Sequence, residues 1–266
     1  MFKKSVVALI SAVTLAACVQ APPRITAEEQ FGTPPPDAPF AGSVWGLVEV
    51  GGQALTASRA SLEFSTDGRL DGFGGCNPFG GSYSLDGSTL SIGDDMVTGA
   101  AACAEESGTA AEKALLEALP RTHTFEVADG RLTLTASDGT TTRFVAIPQT
   151  LGGTSWTVST LGTGTALTGV IEGTELTVAF TEEGKASGKA GCNGFGGDFT
   201  DVDGVLTVTE LAGEAAACTE PEGIMEQETA FLNALGSPAF IHRDARGLTL
   251  RDVQEGSIVM QLVAKS

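Results

Sequence analysis

The sequence predicts an α+β protein that is built from two tandem repeats. The main observation is a nine-residue segment that occurs twice, at 75–83 and again 116 residues later at 191–199. Both copies contain Gly-Cys-Asn, then Phe-Gly-Gly, then a closing aromatic residue, and such a match indicates internal duplication. Short alternating strands that end in Asp-Gly turns, with one helical pattern per repeat, predict the β and α parts.

Composition limits the classes of function. The 266 residues suffice for one large or two small domains, and 35 glycines with only 18% charged residues favour a turn-rich β protein over a helical bundle. The formal net charge is −18. Such a surface repels phosphate backbones, so we expect no binding to nucleic acid.

The first residues resemble the signal peptide of a bacterial lipoprotein. Lys3 and Lys4 precede a short apolar stretch at 6–13, which is too short to span a membrane. Leu15-Ala16-Ala17-Cys18 resembles a lipobox, which implies removal of residues 1–17 and acylation of Cys18 by palmitate or similar chains. Val19 stands where lipoproteins retained at an inner membrane often carry Asp, so the resemblance favours an outer membrane and the periplasmic side.

Residues 18–42 are predicted to be a disordered tether that starts at the lipidated cysteine. The segment is poor in apolar residues and rich in proline, which favours polyproline II and opposes strand pairing. Its prolines are Pro22, Pro23, Pro34, Pro35, Pro36 and Pro39.

The two repeats are predicted as domains at 43–148 and 154–266, joined by a linker at 149–153. Trp45 and Trp156 open them and are expected to anchor the cores. Helices are predicted at 111–119 and 225–235, with leucines that face the core. Within these helices, Glu112, Leu116 and Leu119 precede Glu228, Leu232 and Leu235 by 116 residues.

Once Cys18 is assigned to lipid, four cysteines remain. Cys76 and Cys103 lie 27 residues apart, and Cys192 and Cys218 lie 26 apart. We favour disulfides within each repeat, because only that pairing lets each domain fold as a unit. Free buried thiols and a metal site remain alternatives, although close cysteine pairs or nearby histidines typical of zinc sites are missing from the sequence.

The order of these features resembles the META domain of the heat-shock protein HslJ family. The resemblance rests on the tryptophan, the Gly-Cys-Asn-x-Phe-Gly-Gly segment, the later Ala-Ala-Cys, and the helix with its Glu and leucines. It implies two tandem α+β domains, each a curved antiparallel sheet packed on one main helix. Members of the family are associated with stress tolerance, secretion or motility and have no agreed biochemical activity.

The repeated segment has two possible roles. In the structural one, Gly75 and Gly191 allow unusual backbone, Asn77 and Asn193 bond to the local backbone, and Phe79 and Phe195 enter the core. In the functional one, the glycines leave a bare backbone edge or a cavity mouth for a ligand. We favour the structural role.

The sequence contains no catalytic motif such as Gly-x-Ser-x-Gly, a P-loop or His-Glu-x-x-His. Its two histidines, His123 and His242, are not equivalent in the repeats. Asp198, Asp201 and Asp203 suggest calcium, but Asp-Gly is also the simplest hairpin turn, and we favour the turn.

We therefore expect a non-enzymatic envelope lipoprotein without cofactor or bound metal, which acts as an interaction module with an unidentified envelope protein in stress tolerance or secretion. The alternative is a carrier that holds a lipid or small hydrophobic ligand in a cavity of the curved sheet. An enzyme is the third and least favoured possibility.

Overall fold

The computed structural model describes residues 26–55, 58–103, 106–162 and 166–265. Strands make up 48% and helices 14% of the structure. The predicted α+β class is therefore wrong, because the protein is mostly β.

In repeat one the sheet closes on itself. Its strands are β1 (Val44–Val50), β2 (Gln53–Ala54), β3 (Ser61–Phe64), β4 (Arg69–Phe73), β5 (Pro78–Asp86), β6 (Thr89–Ile92), β7 (Val97–Thr98), β8 (Thr122–Ala128), β9 (Arg131–Ala136) and β10 (Thr141–Ala146). Eight of them follow the order β1-β3-β4-β5-β6-β8-β9-β10, and β10 pairs with β1 again. That last pairing runs antiparallel from Trp45 opposite Ala146 to Val50 opposite Thr142, and it completes a barrel.

Repeat two has the same design. Its strands are β11 (Thr154–Gly162), β12 (Leu167–Gly169), β13 (Leu176–Phe180), β14 (Lys185–Ala190), β15 (Gly194–Val202), β16 (Val205–Gly213), β17 (Ala239–Asp244), β18 (Gly247–Asp252) and β19 (Ile258–Ala264). Again the first long strand, β11, pairs with the last, β19. The hairpin between β15 and β16 turns at Asp203 and Gly204, both with positive φ, as a two-residue Asp-Gly turn requires.

The helices are short and accessory to the barrels. They are α1 (Ala27–Phe31), α2 (Glu106–Ala118) and α3 (Ile224–Leu235). Leu115 of α2 and Phe231 of α3 are fully buried in the core clusters of their repeats. The helices therefore contribute side chains to cores that the closed sheets surround.

Each barrel is filled by its own side chains. Trp45 and Trp156 lie in the two cores with 0% and 5% of their surface exposed, as predicted for anchors. Repeat one adds Phe64, Leu70 and Phe144, all buried. An eight-stranded barrel has an interior just wide enough for side chains to fill, so these residues account for the space.

The segment before repeat one is folded against it, so the prediction of a disordered tether is wrong for residues 26–42. Helix α1 starts in a capping box between Thr26 and Glu29, and Phe31 is buried against Gly46. Farther along, the ring of Phe40 lies 4.3 Å from those of Phe64 and Phe125, at the core of the barrel. The remainder of the predicted tether, and Cys18 itself, lie outside the described residues.

The two repeats also touch each other. The turn between β17 and β18 lies on repeat one, where the Ala245 backbone N–H donates to Ser61 Oγ over 3.4 Å. The guanidinium of Arg246 lies 5.0 Å from the centre of the Phe73 ring. The linker is held as well, because Gln149 exchanges side-chain hydrogen bonds with the backbone of Arg243. Whether each repeat folds alone stays a prediction.

Replacing Phe40 tests whether the N-terminal segment belongs to the fold. We expect Phe40→Ala to lower the free energy of unfolding of repeat one by about 2–4 kcal/mol, because it leaves a cavity beside Phe64 and Phe125. Pro39→Ala, at the exposed neighbouring position, is the control and should change little. Urea unfolding of both variants measures the difference, and equal stability would mean that the segment does not pack as described.

Candidate functional site: the repeated Gly-Cys-Asn segment

The first residues of the segment form the loop before a long strand of each barrel, and its later residues begin that strand. In repeat one it joins β4 to β5, and in repeat two it joins β14 to β15. Gly75 and Gly191 have φ values of 116° and 101°, a conformation that favours glycine. A Cβ on Gly75 would also lie 2.9 Å from the carbonyl oxygen of Gly108 in α2. Glycine is therefore required here for both backbone conformation and close approach of the helix.

The asparagine of the segment ties the loop to the helix. The backbone N–H of Asn77 donates to Glu112 Oε2 over 2.5 Å, and its Nδ2 donates to Glu112 Oε1 over 3.0 Å. The same two bonds recur in repeat two, where Asn193 donates to Glu228 over 2.8 Å in each case. In each barrel one carboxylate thus accepts hydrogen bonds from the backbone and the side chain of the same asparagine. Hydrogen bonds to a charged acceptor are among the stronger ones.

The asparagine also holds the loop that leads to the second cysteine. Asn77 Oδ1 accepts from the Ala101 backbone N–H over 2.8 Å, and its Nδ2 also donates to the Ala101 carbonyl over 3.2 Å. Asn193 makes the equivalent pair with Ala216, over 3.0 and 2.9 Å. Both asparagine side chains are buried and have partners for oxygen and nitrogen, which is the condition under which a buried amide is tolerated.

The cysteines lie beside this network. Cys76 is bonded to Cys103, and Cys192 to Cys218, so the structure pairs them within the repeats. In the chain-entropy description, loops of 27 and 26 residues stabilise the fold by about 3–4 kcal/mol each. The ligand atoms of Cys76, Cys103 and Glu112 lie within 4.8 Å of one another. The two sulfurs bond each other, and Glu112 accepts hydrogen bonds from Asn77. These residues therefore have a structural role, which is to hold the loop to the helix.

The phenylalanines of the segment point into the barrels. Phe79 and Phe195 are 5% and 7% exposed. Phe79 packs over Gly72 of the neighbouring strand, and Phe195 meets the ring of Phe231 in α3 edge-on at 5.5 Å. These contacts support the structural role of the segment for Gly75, Asn77, Phe79 and their counterparts.

The glycine pair that follows lies beside open grooves on the outer surface. In repeat one a groove of about 610 Å³ runs along Gly80 and Gly81 between Asp71 and Asp95. In repeat two a groove of about 620 Å³ is lined by Gly194 and Phe195, directly before the glycine pair, and by Gly213 of the neighbouring strand. Asp95 accepts from the backbone N–H and the hydroxyl of Ser82 over 3.0 and 2.8 Å. Those hydrogen bonds hold the pKa of Asp95 below its usual value. Gly80 and Gly196 pair with strands on both sides, so the grooves expose glycine backbone within the sheet and not an unpaired edge. The ligand-binding role of the segment stays a prediction.

The other residues singled out in the sequence do not converge on a reactive site. His242 Nε2 lies 4.0 Å from Asp244 Oδ2, while His123 belongs to the other barrel. Of the three aspartates that suggested calcium, Asp198 pairs with Lys185 and Asp201 accepts from the Leu151 backbone N–H over 2.7 Å. Asp203 forms the hairpin turn, so the three carboxylates have separate structural roles.

Sequence reasoning missed the role of Glu112 and Glu228. The signal was present, because both occupy the same place in the duplicated helix pattern, four and seven residues before the two repeated leucines. Their hydrogen-bond partner could not be predicted, since the asparagine lies 35 residues earlier in the chain.

Comparisons with known proteins agree with the duplication. A family model described as META domain matches residues 38–148 and again residues 149–265, which confirms the resemblance seen in the sequence. No curated protein matches the chain significantly. Solved structures that are similar include an NMR structure of a protein from Burkholderia xenovorans, with 26% identity, a TM-score of 0.37, and coverage of 44% of this chain and 84% of that one. Another is a crystal structure of a DUF4847 family protein from Bacteroides vulgatus, with 16% identity, a TM-score of 0.33, and coverage of 40% and 93%.

Replacing Glu228 tests how much its hydrogen bonds with Asn193 contribute to stability. We expect Glu228→Gln to lower the free energy of unfolding by about 1–3 kcal/mol, because a glutamine amide offers one acceptor where Asn193 presents two donors. Glu226→Gln removes the same charge from an exposed position of α3 and should stay within about 0.5 kcal/mol of the parent. Thermal unfolding of both variants measures the difference. If both variants lose the same amount of stability, the lost charge is responsible and not the bond to Asn193.

Proposed function

Since the chain belongs to the META domain family, which is a non-catalytic family, we propose that it is a non-enzymatic interaction module of the bacterial cell envelope. It is anchored by lipid on Cys18 and presents two META domains to an envelope protein, in stress tolerance or in a secretion assembly. The observation that carries this proposal is that both barrels are filled by their own side chains.

A filled barrel supports binding at the outer surface. Trp45, Leu47 and Phe64 have no exposed surface, and in repeat two Phe231, Leu235 and Met260 have none either. A ligand inside would have to displace such side chains, at a cost of several kcal/mol for each one exposed. The carrier alternative, with a lipid or other hydrophobic ligand enclosed by the sheet, is therefore less well supported than the interaction module.

The outer grooves beside the glycine pairs are the surface that we assign to the partner. In the groove of repeat one, Val97 is 71% exposed, more than any other large apolar side chain among the described residues. Arg69, Asp71 and Asp95 surround it with charge. An exposed apolar residue inside a charged rim is a common arrangement at protein interfaces.

The proposal of a lipid anchor is based on the sequence of the first residues. Cys18 lies outside the described residues, and the proposal depends on the lipobox-like run that ends there. Among the residues that the structure describes, no helix is both long and apolar enough to cross a membrane. Attachment through acyl chains, each buried CH₂ contributing about 0.8 kcal/mol, would hold the protein at the outer membrane on its periplasmic side.

Substitution of Cys18 tests the anchor. We expect Cys18→Ser to remain unprocessed or to move from the membrane to the soluble fraction, because no thiol is left to acylate. Fractionation after a high-salt wash, followed by mass measurement of the mature protein, reports both outcomes. Normal cleavage with continued membrane association would contradict lipidation at this residue.

Photocrosslinking in intact cells tests the interaction. A photoreactive amino acid at Val97 should give reproducible adducts with one envelope protein, because that position lies in the groove of repeat one. The control position is Val202, which is 61% exposed at the end of β15 in repeat two. The same adducts from both positions would indicate nonspecific contact, and their absence from Val97 would count against the groove as the binding surface.

A further inference from the structure

A buried arginine stands at the edge of the second barrel. Arg243, on β17, is 8% exposed, and its guanidinium lies 5.3 Å from the centre of the Trp156 ring. Its Nη1 donates to the carbonyl oxygen of Thr150 over 2.5 Å. Within the described part of the chain its Nε has no hydrogen-bond partner.

The duplication shows that the barrel does not need an arginine here. Arg243 lies opposite Leu248, one pair before the turn of its hairpin, and Val127 lies opposite Leu132 at the same place in repeat one. Val127 packs against the core of its barrel. The same architecture is therefore built with an apolar residue, and the charge in repeat two requires another explanation.

Among the described residues no carboxylate lies within ion-pair distance of Arg243. The nearby acids have other partners: Asp244 binds Arg246, Glu28 lies 4.0 Å from Arg131, and Glu29 caps α1. Burial lowers the pKa of the Arg243 guanidinium. A buried charge without a counter-charge is costly, which favours a site where the counter-charge arrives with a ligand.

Arg243 lines a cavity of about 240 Å³ between α1, Ile147 at the end of repeat one, and the second barrel. We propose that this cavity binds a small organic acid, whose carboxylate pairs with the guanidinium of Arg243. The planar guanidinium matches a carboxylate, and its Nη atoms are the donors assigned to the ligand, because Nε is itself enclosed by protein. Glu28, Glu29, Asp244 and Arg246 also line the cavity, and the three carboxylates there repel a multiply charged anion such as phosphate more strongly than a single carboxylate.

The chemistry of the lining also indicates the size of the ligand. The cavity is smaller than the pockets that hold drug-sized molecules, and Trp156, Phe31 and Ile147 give it apolar walls. A short aliphatic or amino-acid-sized carboxylate fits this combination. The site is independent of the proposed interaction surface, which lies at Val97 in the groove of repeat one, so either proposal can fail alone.

Sodium acetate serves as the probe, with sodium chloride at equal ionic strength as the reference. In the full chain, purified in detergent, we expect acetate to raise the thermal midpoint more than chloride does, and to shift the Nε–H resonance of Arg243 saturably. Arg251→Val, which removes an exposed arginine from β18, should keep the acetate response. Arg243→Val, which introduces the side chain that repeat one carries at Val127, should lose it.

Arg243→Lys keeps the charge without the planar fork and should show a weaker response, which covers the case in which the valine variant does not fold. The proposal is overturned if chloride reproduces the effect of acetate on the parent protein. It is equally overturned if the folded Arg243→Val or Arg243→Lys variant responds to acetate as strongly as the parent.

Discussion

The pairing of the first strand with the last is the interaction on which each repeat depends. β1 meets β10 and β11 meets β19 along five residue pairs each, so neither end of the main sheet is left as an open edge. Closure encloses the tryptophan and phenylalanine side chains from all sides. The helix and the Gly-Cys-Asn loop then have a different task, which is to fix the backbone where the longest strands begin.

That task explains why the duplicated segment is the most recognisable part of the chain. Asn77 and Asn193 each satisfy a helix carboxylate and two backbone groups, while the adjacent disulfide joins the same two pieces of chain. A substitution of the asparagine would leave several buried polar groups without partners at once. A strong sequence signal of this kind reports a structural requirement, and it need not mark the place where a partner binds.

The sequence was sufficient to predict the duplication, the Asp-Gly turns and the cores around Trp45 and Trp156, because each has a local or periodic signature. Barrel closure was missed, since the pairing of strands about 100 residues apart leaves no local trace, and the helix pattern was given too much weight. The segment 26–42 was misjudged because it is rich in proline and has few large apolar residues, although Phe31 and Phe40 pack against the barrel. For the candidate site, the glycines and asparagines were found, but the grooves and Arg243 depend on which side chains face outward in the folded barrel.

The docking of residues 26–42 on the first barrel has a consequence for geometry at the membrane. If Cys18 carries the lipid, only residues 19–25 separate it from the folded part. Seven residues can span at most about 25 Å even when fully extended. The first repeat would then lie within about 25 Å of the lipid headgroups, and any partner would have to be met within the layer next to the bilayer.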